Sequence, residues 1–173
     1  MASHVKILQG SGLDDQTENE FYRKFSFELN GSLLGKKKVD GKFVRRTAMS
    51  YLHPSTEFLI VRAPFKRSEK LLTALAKGIW ILHEAFIRKV INNEKWIEPK
   101  EFDIGNKPAG NSELELHFPF RAERLTHKKN GGIFKGEYVV VLLPEELKRK
   151  YERILEAGGA KVLSRTVQHL VDR

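Results

Sequence analysis

Apolar positions along this chain follow two different periods. His4 to Gly10 (HVKILQG) is an apolar run of strand length. Ser32-Leu33-Leu34, Thr56-Glu57-Phe58-Leu59-Ile60-Val61 and Ile79-Trp80-Ile81-Leu82 are three more. The unbroken apolar run from Ile79 is the kind a strand shows when both faces of its sheet are covered. Between the strands the spacing turns helical. Phe21, Phe25 and Leu29 recur at i, i+4, i+8. They follow Thr17-Glu18-Asn19-Glu20, a capping box in which the Thr17 hydroxyl accepts from an early helix N–H and Glu20 reaches back. Asn30-Gly31 suits a left-handed stop. Ser68 is a good N-cap for a helix with Leu71, Leu72 and Leu75 as its buried stripe, ended by Gly78. Phe86, Ile87, Val90 and Ile91 mark a third helix.

The pattern then repeats in part. Residues 35–55 are polar and basic, as in a long loop or an exposed hairpin. Residues 106–130 carry Pro108, Gly110 and Pro119 with little periodicity and read as a linker, although Leu114, Leu116, Phe118 and Phe120 alternate as in an extended segment. Gly136 to Leu143 opens a new strand. Leu147, Tyr151, Ile154 and Leu155 make a helical stripe, Gly158-Gly159 stops it, and residues 160–163 form the next strand. Alternating strands and helices predict an α/β fold: a parallel sheet between helices, joined by right-handed crossovers. The predicted division is 4–105, a linker 106–130, and a partial β-α-β unit 131–173. So short a unit buries little, so it is expected to depend on the first.

Composition narrows the function. The chain has 173 residues, 40% hydrophobic, enough for one or two small domains. No stretch approaches the roughly 18 apolar residues of a membrane span, so no membrane partner is expected. Nor does the N-terminus read as a secretory signal. Cysteine is absent, which excludes disulfides, thiolate metal sites and a cysteine nucleophile. His4, His53, His83, His117, His127 and His169 show no metal-ligand spacing, and the glycine pairs complete no nucleotide-binding loop. No carboxylate pair or triad suggests catalysis, so neither an enzyme nor a cofactor is expected. Trp80 and Trp96 read as packing residues. The net charge of +9 favours an acidic partner, either nucleic acid or a phosphorylated peptide.

Several stretches, in order, resemble the tandem BRCT repeat family. They are Ser11-Gly12-Leu13, Phe58 to Val61, Arg67-Ser68-Glu69-Lys70-Leu71-Leu72, Ala76-Lys77-Gly78-Ile79-Trp80, and Trp96 to Gly105. In the second unit they are Gly132 to Leu142 and Ile154 to Leu163. The resemblance implies a BRCT fold: a small parallel four-stranded sheet flanked by helices in the first unit, then the beginning of a second repeat. Phe86 stands where the family usually carries a tryptophan. The second pattern breaks off after its second strand, as in a fragment or a splice form.

The resemblance also implies a site. The family holds a phosphate with a Ser or Thr hydroxyl, the next glycine N–H and a lysine opening a later helix. Here those positions match Ser11, Gly12 and Lys70, and Arg67 matches the position that contacts the peptide backbone. By themselves these residues read more simply as a strand-to-helix turn and a solvated lysine. The implied role is a phosphopeptide-binding scaffold in nuclear DNA-damage or replication-checkpoint signalling. A second class remains open. Lys36, Lys37, Lys38, Lys42, Arg45 and Arg46 form a dense basic loop around Phe43, suited to DNA phosphates or a nuclear import signal. A third is a structural repeat that dimerises through the exposed edge of the unfinished unit.

Overall fold

A computed structural model describes residues 6–17, 19, 31–34, 36–39, 42–45, 49–93, 96–105 and 121–163. In chain order its elements are β1 (Lys6–Ser11), β2 (Gly31–Leu34), β3 (Lys36–Val39), β4 (Lys42–Arg45), β5 (Phe58–Val61), α1 (Glu69–Lys77), β6 (Trp80–His83) and α2 (Ala85–Asn93). A 3-10 turn (Pro99–Phe102), α3 (Arg121–Lys129), β7 (Tyr138–Val140), α4 (Glu145–Ala157) and β8 (Lys161–Leu163) follow.

The expected parallel sheet is present, with strand order β2-β1-β5-β6. Its register sets Leu8 beside Leu33 and Phe58, and Ser11 beside Val61, which in turn pairs with His83. Alternation along β5 explains the double covering. Phe58 and Ile60 join Leu82, Phe86, Ile87 and Val90 in one core layer, beneath α2. Leu59 and Val61 join Ile81, Leu71 and Ala74 in the other, beneath α1. Phe86 fills the aromatic position completely buried, edge-on to Trp96 at 5.2 Å and to Phe102 at 5.6 Å.

Local chemistry fixes the ends of the elements. Leu71 N–H donates to the Ser68 hydroxyl at 3.3 Å, so Ser68 is the N-cap of α1. Gly78 closes α1 at φ 72°, its N–H donating to the Ala74 and Leu75 carbonyls. His83 Nδ1 accepts from Ala85 N–H at 3.1 Å, which satisfies the first amide of α2. Buried Gln9 ties β1 to the incoming loop. Its amide donates to Tyr51 C=O and accepts from His53 N–H and the Thr56 hydroxyl.

Two expectations are corrected. Thr17 does not cap the helix that follows β1. Residues 15–17 are already helical, and Asp14 is the cap, accepting from Thr17 N–H at 2.7 Å and from its hydroxyl at 2.9 Å. An ionised carboxylate is the stronger acceptor, and it sits three residues ahead of the donor it satisfies. Phe21, Phe25 and Leu29 lie outside the described residues. The segment read as an aperiodic linker contains α3. Arg124, on α3, is 2% exposed and forms an ion pair with Asp103, whose side chain is fully buried. Leu114 to Phe120 lie outside the described residues. Residues 35–55, left open between loop and hairpin, include the antiparallel hairpin β3–β4, with Lys36 opposite Arg45.

In the second unit β7 and β8 pair in parallel around α4. α4 lies against α1, where Arg153 Nε donates to Glu69 Oε1 at 2.7 Å. The two glycine pairs interlock: a Cβ on Gly132 would overlap the Gly158 carbonyl, and one on Gly159 would overlap that of Gly131. Among the described residues no helix is long and apolar enough to cross a membrane.

Candidate functional site

Parallel sheets bind ligands beyond the carboxyl ends of their strands. Here Ser11, Val61 and His83 end β1, β5 and β6 in one register row. Beyond that row, between the turn after β1 and the start of α1, lies a cleft of about 420 Å3. Ser11, Gly12, Asp14, Arg62, Lys66 and Ser68 supply its polar wall, and Leu13, Val61, Phe65 and Leu71 its apolar one.

Ser11 ends a strand buried at the centre of the sheet, so its position is rigid. Its hydroxyl faces the Ser68 hydroxyl at 3.5 Å. Gly12 follows at φ 75° with open space where a Cβ would stand, so its backbone conformation, not crowding, calls for glycine. Gly12 is exposed to solvent. Lys70, in the first turn of α1, sends Nζ to the Gly10 carbonyl at 3.1 Å, one residue before Ser11. The structure therefore brings Lys70 next to the turn that carries Ser11 and Gly12, although Lys70 itself is not in the wall of the cleft. Arg67 is exposed on the loop just before the cap, beside the cleft but not in its wall. Lys36, Lys37, Lys38, Lys42 and Arg45 lie in the β3–β4 hairpin, and Arg46 lies outside the described residues.

The electrostatics suit an anion. The amino end of α1 carries the positive end of the helix dipole. The nearest acids are already engaged. Asp14 pairs with Arg62 at 2.7 Å, and Glu84 lies 3.6 Å from the same guanidinium. The Asp14 carboxyl is held below its ordinary range, first by the Thr17 backbone N–H, then by the Thr17 hydroxyl, with Arg62 adding to them. Such a site can cradle a tetrahedral oxyanion through a hydroxyl, backbone N–H groups and an ammonium. Arg62 and Phe65 were not anticipated. The signal for Arg62 was its place directly after the β5 run, where the sheet's ligand edge begins.

The comparisons agree with this architecture. The chain matches the BRCA1 C Terminus (BRCT) domain over residues 6–91. The fold is that of a BRCT domain. The BRCT5–BRCT6 domains of S. pombe Brc1 share the fold at a TM-score of 0.61 and 14% identity, over 98% of this chain and 73% of that one. The first BRCT domain of the DNA-repair protein XRCC1 aligns at 0.41 and 13% identity, over 63% and 70%. Rad4 BRCT1,2, in complex with a Mdb1 phosphopeptide, aligns at 0.37 and 9% identity, over 92% and 68%. BRCT domains are phosphopeptide-binding and protein-interaction modules of DNA-repair and checkpoint proteins.

Proposed function

We propose that this chain binds a phosphoserine or phosphothreonine of a partner protein and acts as a non-enzymatic scaffold module. The supporting observation is the convergence of Ser11, Gly12 and Lys70 at the carboxyl edge of the sheet, beside the amino end of α1. In this reading the Ser11 hydroxyl and Gly12 N–H donate to phosphate oxygens. Lys70 supplies the charge, and Arg67 holds the peptide backbone beyond the phosphoresidue. The phosphate brings about −1.5 to −2 charges and several acceptor oxygens, which this donor set complements. The reading takes 4–105 as a first repeat, 106–130 as a connector and 131–173 as the start of a second. It places the protein in the nucleus, in DNA-damage or replication-checkpoint signalling. The order of motifs resembles that of the C-terminal repeat pair of DNA topoisomerase 2-binding protein 1, or the related pair in the SMC-complex localisation factor.

The test is titration with a degenerate phosphoserine and phosphothreonine peptide library and its unphosphorylated twin. Wild type is expected to discriminate the two. Lys70→Ala is expected to abolish the discrimination while its thermal melt stays near wild type, since Lys70 makes no part of either core layer. Affinity should also fall as pH drops below about 6, where the phosphate takes up a proton. Equal affinity of wild type and Lys70→Ala for the phosphorylated library sinks the assignment.

A second reading rests on the hairpin. Its register pairs Lys36 with Arg45 and Val39 with Lys42, which gathers the basic run into one short ribbon. Such a ribbon suits the phosphate backbone of DNA.

A further inference from the structure

Glu69 has the wrong charge for its place. It stands between Ser68, which faces Ser11, and Lys70, which reaches the Gly10 carbonyl. An acid in the first turn favours the helix dipole, but it opposes any phosphate bound at the same end. The Cα atoms of Glu69 and Lys70 are ~3.8 Å apart, inside the Debye length of about 8 Å at physiological ionic strength.

The fold turns that carboxylate away. Neighbouring residues on a helix point about 100° apart. Lys70 points to β1, and Glu69 points to α4. There Glu69 Oε1 accepts from Arg153 Nε at 2.7 Å, and the Glu69 side chain is only 9% exposed. The Arg153 guanidinium also lies over the Tyr51 ring, 5.4 Å from its centroid. Arg153 is thus fixed from two sides, by the first turn of α1 and by the loop that leads into β5. Its hydrogen bond to Glu69 raises its own already high pKa, so it stays charged.

We propose that Arg153 is a positioning residue for the phosphate cradle: by holding and neutralising Glu69 it leaves the first turn of α1 fit for a dianion, so that α4 of the second unit sets the affinity of the first unit for a phosphorylated partner. The inference rests on the phosphopeptide reading. It gives the β7–α4–β8 unit a role in binding although none of its residues lines the cleft.

The experiment uses the full chain, titrated with the peptide its library selects, with that peptide's unphosphorylated twin and with free O-phosphoserine. Arg153→Ala is expected to weaken the phosphopeptide roughly five- to tenfold, as a freed carboxylate facing a dianion at short range would. It should leave the twin unchanged. Glu69→Gln should bind at least as well as wild type. The double variant Arg153→Ala/Glu69→Gln should regain wild-type affinity, although the bridge is still missing. Arg153→Met keeps the aliphatic stem over Tyr51 and should follow Arg153→Ala, so a folding defect in the smaller variant does not decide the matter. A merely architectural bridge makes the opposite forecast: Glu69→Gln weakened, and the double variant no better than Arg153→Ala. That result overturns the proposal, as does unchanged affinity in both Arg153 variants. Wild type that ignores the phosphate overturns the phosphopeptide reading itself, and is told apart because it appears before any variant is made.

Discussion

Arg124 and Asp103 are both charged and both almost wholly buried, at 2% and 0% side-chain exposure. Asp103 Oδ1 also accepts from Gly105 N–H at 2.9 Å. Two ions taken out of water gain little net stability from each other, because desolvation offsets most of the attraction. Removing only one is different, since it strands the other. Asp103→Ala is therefore expected to lower the unfolding free energy by about 3–5 kcal/mol. Adding Arg124→Met should recover most of the loss, because the buried charge is then gone. Urea denaturation of the single and double variants measures both, and equal losses in the two would refute this account. Asp14 behaves otherwise, being exposed. Its folded-state pKa is depressed, so its contribution is present above its unfolded pKa and disappears as pH falls through the folded value. Across the range in which a phosphate titrates, Asp14 stays ionised and paired with Arg62. A change in binding near pH 6 would then report the phosphate and not this carboxylate.

Helix α4 is held by an ion pair to the first domain and by a backbone crossing within its own unit. Gly132 lies at φ 111°, a conformation that other residues adopt only with strain. Its missing Cβ leaves room for the Gly158 carbonyl, and Phe134 N–H donates to that same oxygen at 2.7 Å. Gly132→Ala combines strain with overlap and should cost at least about 2 kcal/mol. The loss should be local: amides of α4 exchange faster while those of β1 and β5 keep their protection. Uniform acceleration would mean that the two units unfold as one. The sheet and α1 were readable from the chain because their causes are local. Strands covered on both faces give unbroken apolar runs, and Ser68 and Gly78 punctuate their helix. α3 escaped because its anchor is a charge pair: among its described side chains the buried one is Arg124, which leaves no apolar stripe to detect. The capping error after β1 arose because Asp14 and Thr17 are both good caps, and only the fold shows which of them is already inside the turn. Ser11 and Lys70 were legible as motif residues. Arg153 was not, since it lies 84 positions from its partner Glu69 and nothing nearby in sequence signals the contact.

The net charge of +9 acts on the whole molecule, and it blurs the two readings of function, because any basic protein attracts any polyanion. Salt separates them. A ribbon that neutralises DNA phosphates releases one condensed counterion per contact, and log affinity then falls with log salt at about −0.9 per phosphate neutralised. Engagement of most of the basic run from Lys36 to Arg46 gives a slope of roughly −4 to −5. A single phosphoresidue held by a hydroxyl, backbone N–H groups and one lysine has no counterion sheath to release, so its affinity declines only gently with screening. Duplex DNA and the selected phosphopeptide, titrated from 50 to 400 mM salt, are thus expected to give steep and shallow lines. The two lines should also answer to different substitutions. Lys36→Ala/Lys38→Ala should flatten the DNA slope by about 2 and leave the peptide unmoved. Lys70→Ala should remove peptide binding and leave the DNA slope in place. If Lys70→Ala instead weakens DNA while the hairpin variant does not, the cradle at the end of the sheet accepts a DNA phosphate, and the hairpin is only a solvated edge.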